Sequence, residues 1–174
     1  MQRHELADAL LALDENLTTS HDLIVIGGAA MILHFGASRA TRDIDILLLR
    51  GDLAELRKAA NIVAEEFGLP SDWLSDAAKG FADILPPDFY RRLIPLEGNF
   101  RHLRLCALGL PDQTAMKIIA LREQDLDDLE VLLPQLSEEE RQVVARIAHH
   151  VDTFRPDWAQ KMRYFLEEQG WEIS

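Results

Sequence analysis

One short segment near the N-terminus constrains the fold of this chain more than any other. Residues 23–26 read Leu-Ile-Val-Ile, an apolar run rich in β-branched side chains that predicts a buried strand. The run stops at two glycines, after which residues 29–35 predict a helix. Residues 41–49 predict a second strand, in which Asp43 and Asp45 alternate with apolar side chains. The first part of the chain is therefore expected to be built around a sheet.

Further helices and strands are predicted on both sides of this segment. Leucines at three- and four-residue spacing over residues 4–17 predict an amphipathic helix. Asp52 and Glu55 have the spacing of a capping box and predict a helix over residues 53–67. Two more strands are predicted, at residues 92–96 and 103–108.

The pattern after residue 110 is helical throughout. Residues 113–133 predict at least one long helix, Ser137 with Glu140 predicts the capping box of another, and Pro156 opens the last one. The chain therefore changes near residue 110 from an α/β core to helices alone.

Composition and charge exclude several classes of protein. The chain has 174 residues, 48% of them hydrophobic, which is typical of one compact domain and excludes a disordered or low-complexity chain. Its 18 basic and 30 acidic residues give a net charge of −12. Duplex DNA is therefore not an expected partner, although a local basic pocket for one nucleotide stays open. The single cysteine, Cys106, excludes an internal disulfide and a multi-cysteine metal site.

The sequence predicts neither export nor a membrane span. Glu5 and Asp8 interrupt the N-terminus before an apolar stretch can form, so no signal peptide is expected. The longest apolar run, residues 23–33, is shorter than the roughly 20 residues that cross a bilayer, and two glycines interrupt it. We therefore expect a soluble cytoplasmic protein with no membrane partner.

The acidic pair is the feature that points to chemistry. Asp43 and Asp45 are two residues apart on the predicted strand, so their carboxylates project from one face, roughly 6–7 Å apart along it. Carboxylates among isoleucines and leucines are costly to desolvate unless positive charge compensates them. Two Mg²⁺ ions fit this pattern, since Mg²⁺ binds one or two carboxylates together with waters and substrate phosphates. The alternative is an exposed pair of carboxylates without a ligand.

The glycine pair fits a phosphate ligand beside these carboxylates. Glycine between a strand and a helix lets the backbone approach a ligand closely, and the start of the helix offers N–H groups to an anion. Thr41 shares the strand face of the aspartates, and Arg39 at its edge is a delocalised cation suited to phosphate. Gly27 and Gly28 alone would also fit an ordinary tight turn, so the prediction depends on the combination.

This combination resembles a known family. The glycine pair followed by Arg-Xaa-Thr-Xaa-Asp-Ile-Asp-Ile, residues 39–46, is similar to the signature of the nucleotidyltransferase superfamily related to DNA polymerase β. The similarity is closest to a small bacterial branch that contains abortive-infection toxin nucleotidyltransferases, and it extends over residues 22–133. It implies an α+β nucleotidyltransferase fold, with a small mixed β-sheet and flanking helices. Residues 1–110 would form the α/β core, and residues 111–174 a helical region packed on it.

The resemblance also implies roles for the residues of the motif. Asp43 and Asp45 would hold Mg²⁺, two ions in all, and Gly27 and Gly28 would lie near the triphosphate of an NTP. Arg39 and Thr41 would bind phosphate beside the glycines. The implied reaction is transfer of a nucleoside monophosphate.

A second stretch that carries the resemblance lies in the helical region. Asp112 precedes a predicted helix, Lys117 lies within it, and residues 121–129 contain an arginine followed by aspartates. The resemblance implies that Lys117 reaches a phosphate. From the residues alone, Lys117 beside an apolar stripe is also typical of a half-buried helix face. Asp125 and Asp128 either orient a basic side chain or form a solvated acidic face.

The sequence departs from the superfamily at one position. Active members usually carry a third carboxylate on a neighbouring strand, as general base and metal ligand. The predicted strand at residues 103–108 offers Arg104 and Cys106 but no acid, and Glu97 at the end of the preceding strand is the candidate substitute. Without a third carboxylate, metal affinity and deprotonation of the acceptor are both weakened.

Two functions are consistent with these patterns. The first is a Mg²⁺-dependent enzyme that transfers a nucleoside monophosphate from ATP or another NTP to a protein or RNA hydroxyl, as in a toxin–antitoxin system. Its catalytic residues would be Asp43, Asp45 and Glu97. The second is a catalytically weak or inactive binding module that acts through a cognate partner protein, with residues 137–174 as the contact surface.

Overall fold

The structure is a computed structural model that describes residues 1–76, 80 and 83–171. It consists of two compact units. The predicted change from a sheet to helices occurs close to residue 110. The segment Gly80–Arg92 also belongs to the helical unit, which the sequence pattern did not predict. The parts of the predicted regions at residues 77–79, 81–82 and 172–174 lie outside the described residues. The first unit comprises Met1–Lys79 and Leu93–Ala107, and the second Gly80–Arg92 and Leu108–Ser174.

The first unit contains a five-stranded mixed sheet in the order β3-β2-β1-β5-β4. β1 lies at its centre, antiparallel to β2 and parallel to β5, while β3 is parallel to β2 and β4 is antiparallel to β5. The predicted α+β class with a small mixed sheet is confirmed. The strands are β1 His21–Ile26, β2 Ile44–Arg50, β3 Leu74–Ser75, β4 Ile94–Pro95 and β5 Leu103–Ala107.

Among the described residues, the same unit has three α-helices, α1 Arg3–Glu15, α2 Gly27–Leu33 and α3 Leu53–Phe67. The Asp52 carboxylate accepts the Ala54 backbone N–H at 2.8 Å, which confirms the predicted cap of α3. The second half of the predicted capping box is wrong. The Glu55 carboxylate instead accepts hydrogen bonds from the hydroxyl of Thr19 and from the hydroxyl and backbone N–H of Thr18, and these bonds lower its pKa to about 2.

A buried carboxylate fixes the start of β5. Asp14 on α1 is 3% exposed, and its two oxygens accept the backbone N–H groups of Arg101, His102 and Leu103 at 2.7–2.9 Å. Burial by itself would raise the pKa of this carboxyl. The three N–H donors outweigh burial, so the pKa lies below its usual value of 3.8.

Asp14→Asn is expected to lower the free energy of unfolding near pH 7 by about 1–3 kcal/mol, because an amide cannot accept all three N–H bonds. The depressed folded-state pKa means that the carboxylate stabilises the fold above its unfolded-state pKa of about 3.9, and that this contribution is lost as the pH falls through the folded-state pKa. The acid-induced loss should therefore be smaller in the variant. Urea denaturation near pH 7 and below about pH 4 measures both effects. Asp8→Asn, exposed on the same helix, is the control, and equal unfolding free energies for wild type and Asp14→Asn would contradict the role.

The second unit is helical. The Ser137 hydroxyl accepts the Glu140 N–H at 3.2 Å and the Glu140 carboxylate accepts the Ser137 N–H at 2.9 Å, which confirms the predicted capping box. Arg92 donates two hydrogen bonds, at 2.7 and 2.8 Å, to the fully buried Asp112, and this pair accounts for the segment before residue 93 joining the helices. In the part of the chain that the structure describes, no helix is long and apolar enough to cross a membrane. The α-helices that the structure describes in this unit are α4 Leu110–Ala120, α5 Glu123–Leu132, α6 Glu138–Asp152 and α7 Pro156–Glu168.

Candidate functional site

The glycine turn lies directly beside the start of β2, which carries Asp45. Gly27 follows the last residue of β1 and has a φ of +64°, a left-handed conformation that favours glycine. In the sheet register Ile26 pairs with Asp45, which brings the start of β2 next to the turn. A Cβ atom at Gly27 would lie 3.4 Å from Oδ2 of Asp45. The predicted turn and the second aspartate of the motif therefore meet in one place.

Arg39 and Thr41 lie over the second glycine. A Cβ atom at Gly28 would lie 3.1 Å from Oγ1 of Thr41 and 3.3 Å from Nη2 of Arg39, tighter than ordinary van der Waals contact. The Thr41 hydroxyl donates to the backbone carbonyl of Asp43 at 3.2 Å, and the Thr41 backbone N–H donates to the carbonyl of Met1 at 2.9 Å. A cation, a hydroxyl and a glycine backbone thus share one small region.

The two aspartates lie on either side of a buried isoleucine. Ile44 is fully buried, whereas Asp43 and Asp45 are half-buried. β2 begins at Ile44, so Asp43 precedes the strand instead of lying on it as predicted. The motif residues that the structure brings together are Gly27, Gly28, Arg39, Thr41 and Asp45, with Asp43 next to them along the chain.

The donors of this site are those that Mg²⁺ prefers. Two carboxylates and a hydroxyl are hard oxygen ligands, and Mg²⁺ binds one or two carboxylates while waters and substrate phosphates complete its shell. Among residues 1–76, 80 and 83–171, no three His, Cys, Asp or Glu side chains converge on one point. Two carboxylates leave positions for the phosphates of a nucleotide in the shell of such an ion, and the Arg39 guanidinium is a suitable partner for those phosphates.

Glu97 is not brought to the two aspartates. Leu96 donates its N–H to Leu105, which places Glu97 level with Arg104 and, through β5, with Asp22 on β1. Asp45 pairs with Ile26, at the other end of β1. The register thus separates Glu97 from Asp45 by about 13 Å along the strands and about 14 Å across them.

Instead, Glu97 lines a separate recess of about 340 Å³ together with Arg3 and His34. From this recess the Glu97 carboxylate does not reach Asp45. Its assignment as the third acid fails in this structure because β4 runs antiparallel to β5, so that the end of β4 points away from the glycine turn.

Lys117 lies in the helical unit with two carboxylate partners. Its Nζ is 2.7 Å from Oδ1 of Asp125 and 2.7 Å from Oδ2 of Asp128, and its exposure is only 5%. Both aspartates are 1% exposed, so they do not form a solvated acidic face. Burial would raise the pKa of Asp125, but Arg122 and Lys117 outweigh burial and lower it. A phosphate-binding role for Lys117 stays a prediction.

One residue at the site was missed by the sequence patterns. Ser75 pairs with Asp45 in the parallel register of β2 and β3. β3 has only two residues, too few for an alternating pattern to reveal a strand. Trp73, which precedes it, was the available signal, because a large aromatic side chain next to a turn indicates a packing anchor.

Comparison with known proteins shows the family to which this chain belongs. Residues 4–165 match a family model described as nucleotidyltransferase of unknown function (DUF6036), and the chain belongs to this family. Among curated proteins none matches. A solved structure described as an antigenic nucleotidyltransferase-like protein from Paracoccidioides brasiliensis is similar, with 16% identity, coverage of 94% of each chain and a TM-score of 0.47.

Proposed function

We propose that this chain transfers a nucleoside monophosphate from ATP or another NTP to a hydroxyl group, with Mg²⁺ bound by Asp43 and Asp45. One observation carries the proposal: the Asp45 carboxylate lies beside Gly27, and a guanidinium and a hydroxyl lie over the next glycine. An acid, a cation and a glycine backbone that allows close approach are the three features that a metal-bound triphosphate requires together.

Each group has a separate role in the proposed reaction. The acceptor oxygen attacks the α-phosphorus and forms a P–O bond, the bond from the α-phosphorus to the bridging oxygen breaks, and pyrophosphate leaves. Arg39 holds the triphosphate by charge, and the glycine turn lets it approach the backbone closely. When bound, Mg²⁺ supplies positive charge that neutralises the pyrophosphate. The acceptor proton passes to one of the aspartates or to solvent.

The resemblance to abortive-infection toxins extends this proposal to the acceptor and to a partner. A protein or RNA hydroxyl would receive the nucleotide, within a toxin–antitoxin system that includes a cognate partner protein. The net charge of −12 disfavours a large RNA unless a partner supplies positive charge. A protein hydroxyl is therefore the first acceptor to test.

A second candidate function is favoured by the position of Glu97. With two carboxylates and, among the residues that the structure describes, no third acid beside them, the site is suited to binding a nucleotide with its metal but less suited to removing the acceptor proton. In that case the chain is a binding module that acts through its partner protein.

Labelled NTPs with Mg²⁺ and whole-cell lysate test these functions. An active enzyme is expected to transfer label to one protein or RNA species and to release pyrophosphate, and both signals should disappear with EDTA or in Asp45→Asn. A nucleotide that raises the melting temperature without pyrophosphate release, in lysate that supplies acceptors, would support the binding module. A chain that neither binds nor transfers any NTP would contradict both functions.

A further inference from the structure

The sheet register places a serine hydroxyl next to Asp45. β2 and β3 are parallel, with Ile44 paired with Leu74 and Asp45 paired with Ser75. Paired residues on neighbouring strands project to the same face, and the strands are about 4.8 Å apart. Ser75 therefore presents its hydroxyl on the face of the sheet that carries the Asp45 carboxylate. Both side chains are partly exposed, so this face is accessible to a ligand.

β3 is short, but the residue before it is firmly anchored. Trp73 is fully buried, and its indole Nε1–H donates to the carbonyl of Ala60 on α3 at 2.9 Å. Its own carbonyl accepts the N–H of Ile44 at 2.6 Å, which joins β3 to the start of β2. An indole buried against a helix and a backbone bond to the acidic strand fix where the next two residues lie. The position of Ser75 relative to Asp45 is therefore set by the core.

The acid that follows Ser75 is used elsewhere. The Asp76 carboxylate accepts hydrogen bonds from Arg57 on α3 at 3.1 and 3.2 Å, and its side chain is 23% exposed. That bond directs the carboxylate toward the helix. The oxygen that β3 offers beside Asp45 is thus a neutral hydroxyl.

We propose that the Ser75 hydroxyl is the third protein oxygen of the metal site, in the place where a third carboxylate would complete it. The inference rests on the proposed function, because it assigns Ser75 to the same metal as Asp43 and Asp45. A hydroxyl can bind a hard cation but adds no negative charge and, while neutral, is no base for the acceptor proton. The site therefore binds its metal more weakly than a three-carboxylate site and depends more on the phosphates of the nucleotide.

Three substitutions at this position have different expected effects on metal affinity. Ser75→Ala removes an oxygen and is expected to weaken Mn²⁺ binding about tenfold, and Ser75→Asp adds a carboxylate and is expected to strengthen it about tenfold. Ser75→Cys replaces the oxygen by sulfur, which favours the softer Cd²⁺ over Mg²⁺. The direction of change thus reports whether the position touches the metal.

The experiment is calorimetric titration of the full chain with Mn²⁺, alone and with an ATP analogue that has a methylene group between the α- and β-phosphorus atoms. Titration with Cd²⁺ follows for the cysteine variant. Ser20→Asp and Ser20→Cys are matched controls, because Ser20 is exposed and lies directly before β1, at the end of the strand opposite the glycine turn. We expect both controls to keep the metal affinities of the wild type.

The outcomes separate this inference from the proposed function. Ser75→Ala and Ser75→Asp that both bind Mn²⁺ as the wild type does, while Asp45→Asn loses binding, would overturn the role of Ser75 and leave the metal site in place. Unchanged binding in Asp45→Asn as well would overturn the proposed function itself. If Ser75→Asp does not fold, Ser75→Cys decides: a gain in Cd²⁺ affinity over Ser20→Cys supports direct contact, and no gain refutes it.

Discussion

Asp45→Asn is expected to abolish metal-dependent nucleotide binding while the chain stays folded. Loss of one of two carboxylates at the site should weaken binding of a Mg²⁺-bound nucleotide by about 100-fold or more. Substitution of residues that only hydrogen-bond to metal ligands already lowers metal affinity by about 10–100-fold. The fold should be unchanged or slightly more stable, since two half-buried like charges repel each other. Asp43→Asn is expected to behave in the same way.

Two measurements on the same samples check this result. Calorimetry with the methylene ATP analogue and Mg²⁺ gives the affinity, and thermal unfolding without ligand gives the stability. Asp8→Asn is the matched control, because Asp8 is exposed on α1 and its substitution removes the same negative charge. Unchanged nucleotide affinity in both site variants would contradict the assignment of the metal site to Asp43 and Asp45.

Lys117→Met is expected to lower the free energy of unfolding by about 3–5 kcal/mol, the cost of leaving buried charge without its partner. Lys117 Nζ lies 2.7 Å from the carboxylates of both Asp125 and Asp128, and all three side chains are at most 6% exposed. Methionine fills a similar volume but leaves two adjacent buried carboxylates that repel each other. Adding Asp128→Asn to this variant should restore part of the stability, because it removes one of the two buried carboxylates that repel each other.

Urea denaturation of the single and double variants measures this effect, with Lys58→Met on the exposed face of α3 as the control. The same proteins also test the role that the family resemblance implies for Lys117. If Lys117→Met keeps the stability of the wild type and loses nucleotide binding, the lysine acts on phosphate and the structural role is wrong. A large loss of stability with partial rescue by Asp128→Asn supports the buried ion cluster.

Local sequence signals predicted most of the elements of the fold. These signals affect only residues a few positions away in the chain. The structure has a strand at the apolar run of residues 23–26 and a helix that starts at the cap residue Asp52. The break at Leu121 was not predicted, because its φ of +45° is unusual for a residue other than glycine. It ends α4, and Asp125 then accepts the N–H of Arg122 while reaching back to Lys117.

In the candidate site, too, the residues that are close together in the chain were predicted and those brought in by another strand were not. The glycine pair and the spacing of Arg39, Thr41, Asp43 and Asp45 are contained in one short stretch, so sequence reasoning found them together. Whether a further residue joins them depends on which strand lies beside β2, and a pattern within one strand carries no information about its neighbours. The sequence pattern therefore pointed to Glu97, which follows β4 and lies three strands away from β2, whereas the register places Ser75 of β3 beside Asp45.

By itself, then, the amino-acid sequence indicated the nucleotidyltransferase superfamily, the pair Asp43 and Asp45 and the glycine turn, because each depends on residues that are close together in the chain. Only the tertiary structure decided that Lys117 is buried between two aspartates, that Glu97 lies far from Asp45 and that Ser75 pairs with Asp45 across the sheet. These three outcomes depend on strand order and helix packing, which are set by the burial of the whole apolar core and not by any local pattern.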